Sequence, residues 1–220
     1  MQTALSALAS EQSAPTKITM KKVKQFLDYV ASNKDPVLTY SASDMILAGH
    51  SDGSYLSERN ARSHAGGHWF LSNDSENPPF NSAILNISQK IKAMMSSAAE
   101  AKLGALFINA RKAAYIRKIL IEMGHPQPRT PLQTDNSTAE GVVNKNVQTK
   151  KLKSMDMRFH WLRDRESQGQ FRIYWRPGKT NKGDYWSKTQ HPPSHHRDMR
   201  RQILKPLRIL LELRKEKSKA

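Results

Sequence analysis

Asp52, Glu100, Asp135 and Asp184 lie in a strongly basic chain, each in its own setting: His-Ser-Asp-Gly-Ser-Tyr, Ser-Ser-Ala-Ala-Glu-Ala, Gln-Thr-Asp-Asn-Ser-Thr and Lys-Gly-Asp-Tyr-Trp-Ser-Lys. Carboxylates gathered amid positive charge suit a divalent cation, and magnesium takes hard oxygen ligands in octahedral geometry. Two such ions roughly 3.5–4 Å apart grip both the attacking and the leaving oxygen of an in-line displacement at phosphorus. Holding two dications calls for about four carboxylates to neutralise them. The surrounding positive charge suits a polyanion. Together these features imply a metal-dependent nuclease. Glu100 carries a second reading, because a carboxylate in the first turn of a helix is also a dipole-favoured helix starter.

The basic excess is uneven. Lys and Arg total 36 against 19 Asp and Glu, for a net charge of +17. Residues 1–144 hold 15 basic and 12 acidic side chains, whereas residues 145–220 hold 21 and 7. The downstream part is therefore the expected footprint for nucleic acid. Cysteine is absent, which excludes a disulfide framework, thiolate chemistry and a zinc finger. No run approaches the roughly 18–20 apolar residues that span a bilayer, so no membrane partner is expected. The first residues, Met-Gln-Thr-Ala-Leu-Ser-Ala-Leu-Ala, read as helix and not as a signal peptide.

The elements that must position the carboxylates follow from periodicity. Helices are expected over 1–13 and over Met20–Ala31, the latter capped by Thr16 or Thr19. Strands follow at Val37–Tyr40 and Met45–Asp52, with Asp52-Gly53-Ser54 as turn chemistry, then at Ala65–Ser72 and Ile84–Lys92. The longest helix is predicted over Ser97–Met123, with Leu103, Phe107, Ala110, Ala114 and Ile121 on its apolar face. Pro131–Asp135 reads as a strand, Ser137–Lys145 and Ser154–Gln168 as helices, and Phe171–Trp175 as a strand. Asp184 opens a short helical segment, and Ser194–Ala220 is basic and helical in pattern. This order predicts an α/β fold, a mixed sheet with helices on its faces. Carboxylates at two strand ends and one from the long helix then converge at one sheet edge.

Several stretches, in register, resemble the ribonuclease H domain of copia-type retrotransposon polyproteins. They are His50-Ser51-Asp52-Gly53-Ser54-Tyr55-Leu56-Ser57, Ala65-Gly66-Gly67-His68, Ser96-Ser97-Ala98-Ala99-Glu100-Ala101, Gln133-Thr134-Asp135-Asn136-Ser137, Lys153 to Trp161, Gly183-Asp184-Tyr185-Trp186-Ser187-Lys188 and His191-Pro192-Pro193-Ser194-His195-His196. The resemblance implies a ribonuclease H-like fold with a mixed five-stranded sheet flanked by helices and with helical N- and C-terminal extensions. It implies a domain over 39–192, a remnant of the reverse transcriptase thumb and connection over 1–38, and a basic extension over 193–220. It also implies two-metal-ion cleavage of the RNA strand of RNA–DNA hybrids, with two Mg2+ ions (Mn2+ as the substitute). Asp52, Glu100 and Asp135 fall at the family's core metal-ligand positions and Asp184 at the fourth. The implied partners are the hybrid and the rest of a reverse transcriptase polyprotein, in an intracellular setting, either a cytoplasmic particle or the nucleus.

The chain departs from the family in two places. Gly53 replaces the alanine of many relatives, which is expected to loosen the backbone. The loop Arg176–Gly183 lacks the histidine that some cellular relatives carry. No Tyr-x-Asp-Asp motif occurs, so no polymerase site is expected. Arg158, Arg163 and Lys188 are the candidate phosphate contacts. Trp161, Trp175 and Trp186 are expected to be core or interface aromatics. The alternative reading is a catalytically decayed fragment that binds nucleic acid without cutting it.

Overall fold

The computed structural model describes residues 2–34, 36–144, 156–188 and 191–206. The chain divides into two compact units, Ala42–Thr189 and a second made of Met1–Ser41 with Gln190–Ala220. In the second unit, α1 (Gln2–Ser10) precedes α2 (Lys17–Ala31). Thr16 caps α2 by a reciprocal exchange with Thr19, which satisfies two backbone donors that the first helical turn leaves open. The short strand β1 (Pro36–Val37) pairs antiparallel with β7 (Lys205–Pro206), which follows α7 (Pro193–Ile203). The expected helical pattern beyond Pro206 and the basic segment 145–155 lie outside the described residues.

The larger unit is built on β2 (Ile46–Glu58), β3 (Arg62–Ser72), β4 (Ala83–Ile91), β5 (Thr130–Thr134) and β6 (Phe171–Trp175). They form one sheet in the order β4-β3-β2-β5-β6. β2, β3 and β4 are antiparallel neighbours, whereas β5 lies parallel to β2 and to β6. β2 does not stop at Asp52. It continues through Gly53 and Ser54 to Glu58, and the chain reverses at Arg59–Ala61, where Asn60 is left-handed at φ 59°. The Asp-Gly-Ser triplet therefore works as strand and not as turn. β2 is buried continuously from Ile46 to Ser54, and β5 throughout, the pattern of strands covered on both faces.

The cover on one face is α3 (Ala98–Glu122), with α4 (Ser137–Val143) and α5 (Asp156–Ser167) beside it. Ser97 caps α3. Gly124 closes it at φ 88°, with His125 N–H donating to Leu120 O at 2.9 Å and Gly124 N–H to Ile121 O at 3.0 Å. Leu103, Leu106, Ala110 and Leu120 pack with Leu47, Trp69, Leu132, Leu162 and Phe171 into the core. Each large apolar side chain so buried contributes about 1.5–3 kcal/mol. The buried face of α3 is rotated from the expected one: Ile121 is exposed, and Asn109 and Arg117 are buried instead. Asn109 explains part of this. Its amide donates to Ser51 Oγ and Gly66 O at 3.0 Å each, and its oxygen accepts the Trp69 indole N–H at 3.0 Å. A fully satisfied polar group thus ties the helix to two strands.

Candidate active site

The parallel pairing of β2 with β5 sets His50 opposite Gln133. Two residues further along both strands, Asp52 comes level with Asp135, just past the end of β5. Lys102, at the start of α3, reaches both. Its Nζ lies 2.9 Å from Asp52 Oδ1 and 2.5 Å from Asp135 Oδ1. The other Asp52 oxygen accepts the hydroxyl of Ser187. Ser187 belongs to α6 (Gly183–Ser187), a short helix lying on β2 and β3.

Glycines make these approaches possible. A Cβ on Gly66, the register partner of Asp52, would sit 2.3 Å from Gly183 O and from Ser187 N. On Gly53 it would sit 2.6 Å from Ala101 O, in the first turns of α3. Gly53 therefore admits a helix rather than loosening a strand, and Gly66 is a seat for α6.

Glu100 is fully buried in the first turn of α3, beside this junction. Its Oε2 accepts the backbone N–H of Ser96 at 2.5 Å and the Ser96 hydroxyl. The carboxylate thus ties down the approach to the helix. Asp184 forms an ion pair with Lys188, one turn along. Its carbonyl also receives a contact from Ser187 Oγ at 3.1 Å, so Asp184 is linked to Asp52 through Ser187. The structure joins Asp52 with Asp135 directly through Lys102. Lys102 was not singled out in the sequence. The signal available was its place two residues after Glu100, one helical turn below the cap.

No protein-family profile matches the chain. The retrovirus-related Pol polyprotein from tobacco (Nicotiana tabacum) transposon TNT 1-94 is 23% identical over 151 residues, which is 68% of this chain and 11% of that polyprotein. The chain thus spans about a tenth of the length of the relative it matches. Among solved structures, a compost metagenome ribonuclease H1 in complex with RNA/DNA hybrid is 12% identical with a TM-score of 0.45, over 64% of this chain and 92% of that one. A foamy viral protease-reverse transcriptase in complex with dsDNA is 17% identical with a TM-score of 0.46, over 66% and 91%. These likenesses accompany a five-stranded mixed sheet flanked by helices. The sequence is similar to part of a retrotransposon Pol polyprotein.

Within the larger unit, a buried and a half-buried carboxylate share one ammonium and their proton affinities part. Burial alone would push the Asp52 carboxyl up, but the Lys102 ammonium and the Ser187 hydroxyl hold it below the usual range. Asp135 moves up, first through burial and then through the charge of Asp52. Lys102 moves up despite its own burial, held by both aspartates. The donor set fits a divalent cation at one position, because two hard carboxylate oxygens converge on a single point. That point is where the Lys102 nitrogen sits. At the other two carboxylates, Glu100 Oε2 is turned to Ser96 and Asp184 Oδ1 to Lys188.

The candidate phosphate contacts separate by environment. Arg163 is a structural residue: its Nε donates to Val142 O at 3.0 Å, and its guanidinium lies 4.3 Å over the Phe159 ring. Arg158 is half-buried, with its guanidinium 5.9 Å from the Phe107 ring. Lys188 is exposed and serves Asp184. Trp186 is buried, Trp161 is half-buried, and Trp175 is exposed with its indole N–H on Asp135 O at 3.1 Å. A groove of about 690 Å³ along α3 and α5 is lined by Arg111, Tyr115, Lys118, Trp161 and Arg165. Its mixture of cations and rings emerges only when the two helices pack. Among the described residues no helix is long and apolar enough to cross a membrane.

Proposed function

We propose that this chain is a retrotransposon-derived ribonuclease H that cleaves the RNA strand of RNA–DNA hybrids with divalent metal. The observation that carries this reading is the convergence of Asp52 and Asp135 on one cation-sized point at adjacent parallel strands. Magnesium bound there would supply Lewis acidity for attack at phosphorus. Asp52 and Asp135 would hold it, Ser187 keeps the Asp52 carboxylate in one orientation, and Glu100 and Asp184 would join them only on leaving Ser96 and Lys188. The groove with Arg111, Lys118 and Arg165 offers donors to phosphate oxygens, and Tyr115 and Trp161 offer ring faces. The segments 1–38 and 193–220 then belong to the rest of a reverse transcriptase polyprotein, in an intracellular particle or the nucleus.

Purified protein incubated with labelled hybrid in magnesium or manganese tests this. RNA cleavage that disappears in Asp135→Asn supports the reading. Intact RNA at protein concentrations that saturate binding rejects it. One observation favours the second reading, binding without cleavage: a lysine already neutralises the aspartate pair. Tight hybrid binding with no turnover is its signature.

A further inference from the structure

We propose that Lys102 is a resident counter-ion of the acidic site, holding the position a divalent ion needs, so that metal loads only when the Lys102 side chain withdraws. This deepens the nuclease reading and rests on it, because it assigns Asp52 and Asp135 to a cation.

The geometry is exclusive. Magnesium ligates carboxylate oxygens at about 2.0–2.1 Å. The Lys102 nitrogen lies 2.9 and 2.5 Å from one oxygen of each aspartate. An ion bridging the same two oxygens would overlap the ammonium, and their like charges would repel at close range. The remaining Asp52 oxygen accepts the Ser187 hydroxyl, which fixes the carboxylate with its Oδ1 on Lys102. Metal and ammonium are alternatives at this point.

The lock is also built so that it can open. The Lys102 side chain keeps 20% of its surface exposed, against 2% for Asp52 and 16% for Asp135. A four-carbon stem at the start of a helix has a path outward that Asp52 lacks. With Lys102 in place, the pair carries a cation without any metal. Without Lys102, the buried Asp52 and the half-buried Asp135 face each other unneutralised, which costs stability until metal arrives.

Magnesium titrated calorimetrically into the full chain, together with thermal melts across magnesium concentration, tests the proposal without reference to catalysis. The wild-type melting midpoint is expected to stay flat with magnesium. Lys102→Gln should melt lower in chelator, regain stability as magnesium is added, and bind it at a concentration at least about tenfold lower than wild type. Lys102→Arg, which keeps the cation, should behave as wild type. Lys102→Met provides the same comparison if the glutamine variant folds poorly. Equal magnesium affinity in wild type and Lys102→Gln overturns the counter-ion role and leaves the nuclease reading standing. Absence of magnesium binding in every variant overturns both.

Discussion

Ser187 donates its hydroxyl to Asp52 from 135 positions further along the chain, and the same oxygen rests 3.1 Å from the carbonyl of Asp184. The bond brings α6 to the middle of β2 and fixes the orientation of one carboxylate. Removing it in Ser187→Ala strips a donor from a buried charge, which costs about 1.5–3 kcal/mol. A denaturant titration should show that loss, and hybrid cleavage should fall by tenfold or more. Unchanged stability and rate would mean that Asp52 is oriented by Lys102 alone.

Two histidines make the unit acid-sensitive. His50 Nδ1 accepts the backbone N–H of Lys182 at 3.0 Å, and His68 Nδ1 accepts the Trp186 indole N–H at 3.3 Å. Both rings are therefore neutral, with the proton on Nε2. Burial, above all, lowers His50 from 6.5 to about 3 and His68 to about 4. Because the folded values lie below the unfolded one, their contribution is present above pH 6.5 and lost as pH falls toward the folded values. At about 1.4 kcal/mol per pKa unit, the loss is several kcal/mol. The urea midpoint should decline steadily between pH 6.5 and pH 4. A flat profile there, or nitrogen chemical shifts placing the proton on Nδ1, would contradict the assignment.

Gly53→Ala tests the packing of α3 on β2. The added carbon would meet Ala101 O at 2.6 Å and Lys102 Cα at 3.0 Å, backbone that cannot swing aside. Overpacking of this kind costs about 1–3 kcal/mol. The thermal midpoint should fall, and magnesium response should change with it, because the displaced turn carries Lys102. A neutral substitution would show that the helix accommodates alanine at this junction.

Arg163 and the groove cations should separate in salt titrations. Arg163→Ala loses a backbone hydrogen bond and a ring contact and should destabilise the unit by about 1–2 kcal/mol, with the salt slope of hybrid binding kept. Arg111→Ala and Lys118→Ala should leave stability nearly unchanged. Each should reduce the salt slope by about one, as expected for a lost phosphate contact. The reverse pattern would move the docking surface elsewhere.

Periodicity located the strands and helices of the larger unit because apolar repeats and caps are local: Phe171–Trp175 runs as expected, and Ser97 and Gly124 bound the long helix. Local signals misread the Asp-Gly-Ser triplet as a turn, since Gly53 answers to a helix from a different part of the chain. They also placed Ile121 inside and left Asn109 out, because the buried face of α3 is decided by polar partners on β2 and β3. Residue types and order by themselves determined the acidic set, the basic downstream half and the likeness to a retrotransposon ribonuclease H. Which carboxylates meet, and what cation stands between them, was decided by tertiary structure. Strand register brings Asp52 level with Asp135, and a side chain from a helix start sets Lys102 between them. Distances between groups 33 and 50 residues apart are properties of packing, and no local pattern encodes them.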